Sequence, residues 1–307
     1  MAGVHGMAVI DLYAGTRHAP DGLAGAAASV DHPPASASPS SILVFDSGVG
    51  GLTVQREIAA RLPGARTVYV ADDAGFPYGA WAEDDLVARV RDLVVDLSRR
   101  HEPDAIVIAC HTASTLVLPA LRASLDIPVV GTVPAIKPAV AATRSGLVSV
   151  LATPGTVARD YTRALINTHG HGAEVNLVGS KRLAALAEAR LRGETVDEQA
   201  IADEIAPAFV ARDGRRTDAI VLACTHYPFL TDVFVRLAPW PVHWIDPAPA
   251  IARRTVDVLG LPEGSSAFRQ PENDAAPRGS VIFTSGHPPE GALSATLSAL
   301  RLAWKPD

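Results

Sequence analysis

The alternation of apolar and polar positions divides the chain from residue 41 onward into short apolar runs separated by amphipathic stretches. Ser41-Ile-Leu-Val-Phe-Asp46 predicts a buried strand, followed by Ser47-Gly-Val-Gly-Gly51 as a tight turn. Residues 52–62 carry apolar side chains at helical spacing until Pro63-Gly64 stops them. A strand at 67–71, a loop through Phe76-Pro77-Tyr78-Gly79, an amphipathic helix over about 83–100 and a strand from Asp104 come next. A helix over about 113–125, a strand at 128–131 and Pro134-Ala-Ile136 complete this series. The order then repeats, with a strand at 147–151, a turn at 152–156, a helix over 157–168 and a strand at 173–178. Helices over 181–192 and 197–212, a strand from Asp218, a helix ending near Leu237, Pro241-Val242 and a second Pro-Ala-Ile at 249–251 follow. Past residue 261 the pattern gives a loop to about 278, a strand at 280–284 and a helix over 290–304 that returns to the first half.

Strands alternating with helices, run twice, predict an α/β fold of two similar doubly wound domains with mostly parallel sheets and an active site in the cleft between them. The expected boundaries are 41–137 plus 245–307 for the first domain and 138–244 for the second. Residues 1–40, rich in Ala, Gly, Ser and Pro, are expected to be a disordered extension or the product of an early start codon. They carry no basic segment ahead of a long apolar core, so neither a secretory signal nor a membrane span is expected there.

The repeat is sharpest in one phrase. Asp104-Ala-Ile-Val-Ile-Ala-Cys110-His111-Thr112 recurs as Asp218-Ala-Ile-Val-Leu-Ala-Cys224-Thr225-His226, with six of nine positions identical. Both phrases read as buried strands whose ends face the ligand crevice of an open α/β sheet. They hold the only two cysteines of the 307 residues, 224 − 110 = 114 positions apart. Two cysteines make no disulfide framework, which favours a reducing, cytoplasmic setting. A net charge of −6 offers no broad basic surface, which counts against nucleic acid as a partner.

Four uses of the cysteines compete. They are two small buried hydrophobes, ligands with His111 and His226 of a zinc ion, a redox disulfide lacking the usual Cys-x-x-Cys, or a pair of acid–base thiols. The last suits the placement best. A free thiol is mostly protonated at neutral pH and needs a neighbour to ionise it. Asp46 at the end of the first strand is a neighbour for Cys110, and His226 lies on the same face as Cys224 if that run stays extended. Two weak acids of one kind on opposite sides of a carbon take a proton from one face and return one to the other, which is racemisation. The Gly-x-Gly at 48–50, with Asp72 further on, also suggests a dinucleotide loop. Against that stand Thr53 in place of the last glycine and a charge at Asp46 that would repel a pyrophosphate. Asp46 is better placed for a substrate ammonium, with Ser47 and the turn's amides for a carboxylate.

The motifs Phe45-Asp-Ser-Gly-Val-Gly-Gly51, Phe76-Pro-Tyr-Gly79, Ala109-Cys-His-Thr-Ala-Ser-Thr115 and Ala223-Cys-Thr-His-Tyr-Pro228 together resemble those of the glutamate racemases, within the aspartate/glutamate racemase family. The resemblance spans about 41–261. It implies cofactor-independent conversion of L-glutamate to D-glutamate for peptidoglycan synthesis, with Cys110 and Cys224 as the two bases. It implies further that Asp46, Ser47, Tyr78, Gly79, Thr112, Thr225 and His226 line the glutamate pocket, Asp46 and His226 also assisting the thiols. Val133-Pro-Ala-Ile-Lys-Pro138 resembles the subgroup activated by a UDP-linked peptidoglycan precursor, and a homodimer is expected by analogy. One position departs: the family has Asn where this chain has His111, whose imidazolium would favour the Cys110 thiolate and whose neutral ring would replace an amide contact or crowd the substrate. No metal is expected, and none of the three lysines, Lys137, Lys181 and Lys305, follows a recognisable phosphate loop as a pyridoxal lysine would. The same thiol pair would also serve a racemase of aspartate or of a hydantoin, and inert cysteines would fit a sugar-nucleotide sensor.

Overall fold

The structure is a computed structural model that describes residues 40–270 and 276–306. The expectation for residues 1–40 therefore lies outside the described residues, Ser40 excepted, as does part of the loop expected before 278.

Three strand–helix steps begin the described residues: β1 (Ser41–Asp46), α1 (Leu52–Arg61), β2 (Arg66–Ala71), α2 (Glu83–His101), β3 (Ala105–Ile108), α3 (His111–Ser124) and β4 (Val129–Gly131). A short α4 (Ile136–Ala142) leads into β5 (Leu147–Ala152), α5 (Pro154–Ala158), α6 (Asp160–His169), β6 (Glu174–Gly179), α7 (Leu183–Leu191) and α8 (Glu198–Ile205). A hairpin of β7 (Ala211–Arg212) and β8 (Arg215–Arg216) precedes β9 (Ala219–Ala223), α9 (Thr231–Leu237), β10 (His243–Ile245) and α10 (Ala248–Leu259). β11 (Gly279–Phe283), α11 (Gly291–Ala299) and β12 (Leu302–Trp304) close it.

Two parallel sheets result. The first has six strands in the order β12-β11-β2-β1-β3-β4 and the second four in the order β10-β9-β5-β6. β1, β3 and β9 are buried at every position, because helices cover both faces, and this is why they read as unbroken apolar runs rather than alternating ones. In each sheet the first strand, β1 or β5, has its successor on one side and the cysteine strand on the other. The order of strand addition therefore reverses beside β1 and beside β5, and a crevice opens at the carboxyl ends of those strands. The repeated phrase is also repeated in structure. Asp104 accepts the Ser41 N–H at 2.8 Å, and Asp218 accepts the Arg144 and Ser145 N–H groups at 2.8 and 2.9 Å. In both halves the aspartate before the cysteine strand pins the entry to its neighbour.

Four elements differ from the sequence reading. The expected turn at 152–156 holds helix α5, capped by Thr153, which accepts the Thr156 N–H, and started by Pro154 at its first position. The helix expected over 157–168 begins only at Asp160, after an extended Arg159. The helix expected over 197–212 stops at Ile205, and a 3-10 turn containing Pro207 leads to the β7–β8 hairpin. Asp213 and Gly214, with φ of 52° and 72°, make the positive-φ turn that an Asp-Gly pair favours. The helix expected over 290–304 ends at Ala299, and Arg301 at φ 58° redirects the chain into β12 beside β11. β11 pairs with β2, so the closing segment does return to the first sheet. Among the described residues no helix is long and apolar enough to cross a membrane.

Candidate active site

Asp46 ends β1 and is fully buried. Its carboxylate accepts the Gly48 N–H at 3.1 Å and, from the second sheet's cysteine loop, the Thr225 hydroxyl at 3.1 Å. Burial lifts its pKa to about 6, against the opposing pull of His226, the Gly48 and Gly51 amides and Thr225. The turn after it is shaped by close approach. A Cβ on Gly50 would fall 2.5 Å from His226 Nδ1 and 2.6 Å from Thr225 Oγ1, so only glycine lets this backbone reach the other half. The turn's amides are largely spent inside the protein: Gly48 and Gly51 on Asp46, Val49 on Glu188 at 2.9 Å. This narrows the expected carboxylate-holding role of that turn and leaves no open glycine cradle for a pyrophosphate.

Cys110 sits at the N-cap of α3, 5% exposed, and joins the cluster that includes Tyr78. The Ser47 side chain and the Ala113 N–H hydrogen-bond its sulfur and favour the thiolate. Burial and the charges of Asp46 and Cys224 outweigh them and push the thiol up to about 12. Asp46 thus acts on Cys110 by charge, and the orienting bond comes from Ser47. Each thiol is near enough for the charge of Cys224 to be felt at Cys110.

Cys224 follows β9 and is 6% exposed. The run does not stay extended through His226, since Tyr227 N–H turns back to the Cys224 carbonyl at 3.1 Å. The two side chains still meet, with Cys224 Sγ 3.7 Å from His226 Nδ1. His226 Nε2 lies 2.8 Å from Glu188 Oε1, inside a site where the ring is 2% exposed. Burial alone would keep that ring neutral, but hydrogen bonds to Cys224 and Glu188 and their charges hold its pKa well above the usual histidine range. Burial likewise raises Glu188, and His226, the Val49 amide and Arg192 overcome it and hold the carboxyl below its ordinary value. Cys224, His226 and Glu188 therefore form a proton-sharing chain from thiol to carboxylate.

The remaining expected residues gather less evenly. Tyr78 is 3% exposed, and its hydroxyl donates to Asp72 at 2.5 Å. Gly79 has no atom within 4 Å of where a Cβ would stand, so its backbone faces open space. Thr112 sits 2.9 Å from Thr153 Oγ1 and 3.4 Å from Thr156 Oγ1, which brings α5 of the second half against the first. His111 is not on an extended run with Cys110; it opens α3, 1% exposed, and among the described residues neither ring nitrogen has a hydrogen-bond partner. Burial takes its pKa down to about 3, so the ring is neutral and the imidazolium alternative is corrected.

The model of the Asp/Glu/Hydantoin racemase family matches residues 52–255. The chain belongs to that family. A glutamate racemase of Brucella anthropi is 61% identical over 219 residues, 71% of this chain and 79% of that protein. One from Sinorhizobium fredii is 57% identical over 248 residues, 80% and 90% of the two chains. Among solved structures, Escherichia coli glutamate racemase in complex with L-glutamate and the activator UDP-MurNAc-Ala superposes with a TM-score of 0.77 at 37% identity, covering 88% of this chain and 98% of that one.

Sequence reasoning missed three parts of this racemase site. Glu188 is the main one. It interrupts an apolar stripe on α7, four residues after Ala184 and three before Leu191, both of which pack on apolar cores. An acid on a buried face was the available signal. Asp72, weighed only as a ribose ligand, is instead held by Tyr78, by both nitrogens of the Arg89 fork at 2.7 and 2.6 Å and by Thr284 at 2.6 Å. Thr153 and Thr156 lay within a stretch read as a plain turn.

Proposed function

We propose that this chain interconverts L- and D-glutamate with Cys110 and Cys224 as its two acid–base groups. One observation carries the reading: two buried thiols end matching strands of the two sheets, the charge of Cys224 reaching Cys110, each with its own acid–base company. The names of the Brucella and Sinorhizobium relatives support glutamate over aspartate or a hydantoin.

Glutamate binds with its ammonium at Asp46 and its carboxylates among the hydroxyls of Ser47, Thr112 and Thr225 and the backbone at Tyr78-Gly79, with His111 beside them. On the Cys224 side the imidazolium of His226, held charged by Glu188, stabilises the Cys224 thiolate. The Cys224 thiolate then removes the α-proton. The Cys110 thiol, protonated at neutral pH with its pKa at about 12, delivers its proton to the opposite face. The reverse direction exchanges the two roles, and no electrons are transferred. Preorganised donors in a buried site stabilise the carbanion-like state better than water would.

The product serves peptidoglycan synthesis in the cytoplasm. Activation by a UDP-linked precursor is supported by the activator in the Escherichia coli structure and by Val133-Pro-Ala-Ile-Lys-Pro138. A homodimer follows from the prevalence of two-fold oligomers, and light scattering at twice the chain mass checks it. The deciding experiment is entry of solvent deuterium at the α-carbon of either enantiomer with no cofactor added. Incorporation is expected, with Cys110→Ser and Cys224→Ser each nearly abolishing interconversion. Full exchange in both serine variants would remove the thiols from the mechanism.

A further inference from the structure

The site residues Asp46, Asp72 and Cys110 lie at or just past the carboxyl ends of β1, β2 and β3. At the opposite edge of the same sheet, a cavity of about 520 Å³ opens between the end of α2 and strands β2, β11 and β12. Its walls follow the pleat. Arg66 and Val68, Arg278 and Ser280, and Ala303 and Lys305 are i, i+2 pairs, so each pair projects to one face of its strand. The ladder sets Val68 beside Ser280 and Ser280 beside Ala303, which makes those faces one surface.

Charge on that surface is one-sided. Arg66, Arg100, Arg278 and Lys305 line it, and Glu102 is the only acid in the lining, in a chain whose net charge is −6. Arg100 also reaches Asp96 at 2.9 Å, and Arg278 donates to Gln270 at 3.0 Å. Arg66 and Lys305, both exposed, have no ion-pair partner among the described residues. Thr67 pairs with Gly279, so the preceding arginines, Arg66 and Arg278, stand side by side on neighbouring strands. Like charges in that arrangement repel unless an anion lies between them.

We propose that this cavity is a second binding site, remote from the thiols, for a small phosphorylated molecule carrying two or more negative charges. Guanidinium forks match phosphate oxygens in pairs, while Lys305 adds a point charge at the far strand. The volume falls within the roughly 300–1,000 Å³ of small-molecule pockets, more than a single phosphate fills. Val68, Pro277 and Ala303 offer apolar surface to the remainder of the ligand.

The test uses the full chain and inorganic diphosphate as the probe, titrated calorimetrically at low ionic strength with and without saturating D-glutamate. The structure requires saturable binding that glutamate leaves unchanged. Arg66→Ser and Lys305→Ser, on separate strands, each weaken it by about tenfold or more while unliganded melting temperature and racemisation stay at the parent values. Absence of saturable binding, affinity in either variant equal to the parent's, or displacement by glutamate would each overturn the proposal. Because racemisation is read separately, a failure here leaves the thiol chemistry standing.

Discussion

At the scale of single residues, the two thiols are of one kind but their surroundings are not. Cys110 is raised by burial and Asp46, whereas Cys224 faces an imidazole that Glu188 keeps charged. The pair is thus poised as one protonated acid and one assisted base. Glu188→Gln keeps a hydrogen-bond acceptor for His226 but removes the charge. The expected outcome is a fall in kcat of about 10²-fold, with deuterium exchange through the Cys224 face losing more than exchange through the Cys110 face; equal losses would mean Glu188 serves only packing. His111 gives a stability test. Its folded pKa of about 3 lies below the usual 6.5, so the stability it contributes is complete above pH 6.5 and is lost as pH falls toward 3. His111→Asn removes that loss. The variant should racemise at an altered rate, and its melting temperature relative to the parent should improve steadily between about pH 7 and pH 4.

At the scale of elements, β11 does more than complete a sheet. Past its end, Thr284 donates to Asp72 at 2.6 Å and accepts the Ala74 N–H at 3.2 Å. Ser285 binds Asp73 through its N–H at 2.9 Å and its hydroxyl at 2.6 Å. The loop that presents Tyr78 and Gly79 is therefore held from β11 on one side and from Arg89 of α2 on the other. Losing one bond to a buried carboxylate costs about 1.5–3 kcal/mol, part of which appears as a loosened loop. Thr284→Ala should raise KM for glutamate several-fold with a smaller change in kcat, and Thr284→Ser should restore it. A change in thermal stability alone, with KM untouched, would assign Thr284 to the fold and not to the site.

For the whole molecule, what the sequence disclosed and what it withheld have one physical origin. Strands buried on both faces announce themselves as apolar runs, so β1, β3, β5, β9 and both cysteine positions were legible, and repetition paired them. Contacts made across distant segments leave no local trace: Glu188 reaching Val49 and His226, Thr225 reaching Asp46, and Thr284 reaching Asp72 all join residues more than 30 apart. Two of the elements missed, α5 and the β7–β8 hairpin, are single turns whose Thr-Pro and Asp-Gly signals are easily outvoted by the pattern around them. The family match ends at residue 255, yet β11 inserts Val281, Ile282 and Phe283, each no more than 3% exposed, into the two cores on either side of the first sheet. Burial of each such side chain is worth about 1.5–3 kcal/mol, which together approaches the net stability of a typical domain. Without β11, strand β2 becomes an open edge from Thr67 to Ala71, and such an edge invites intermolecular pairing. A chain ended after Leu261 should therefore aggregate or fail to melt cooperatively, and coexpression of the missing segment as a separate peptide should recover soluble protein; a soluble, cooperatively melting truncation would show that the first sheet is stable without its outer strands.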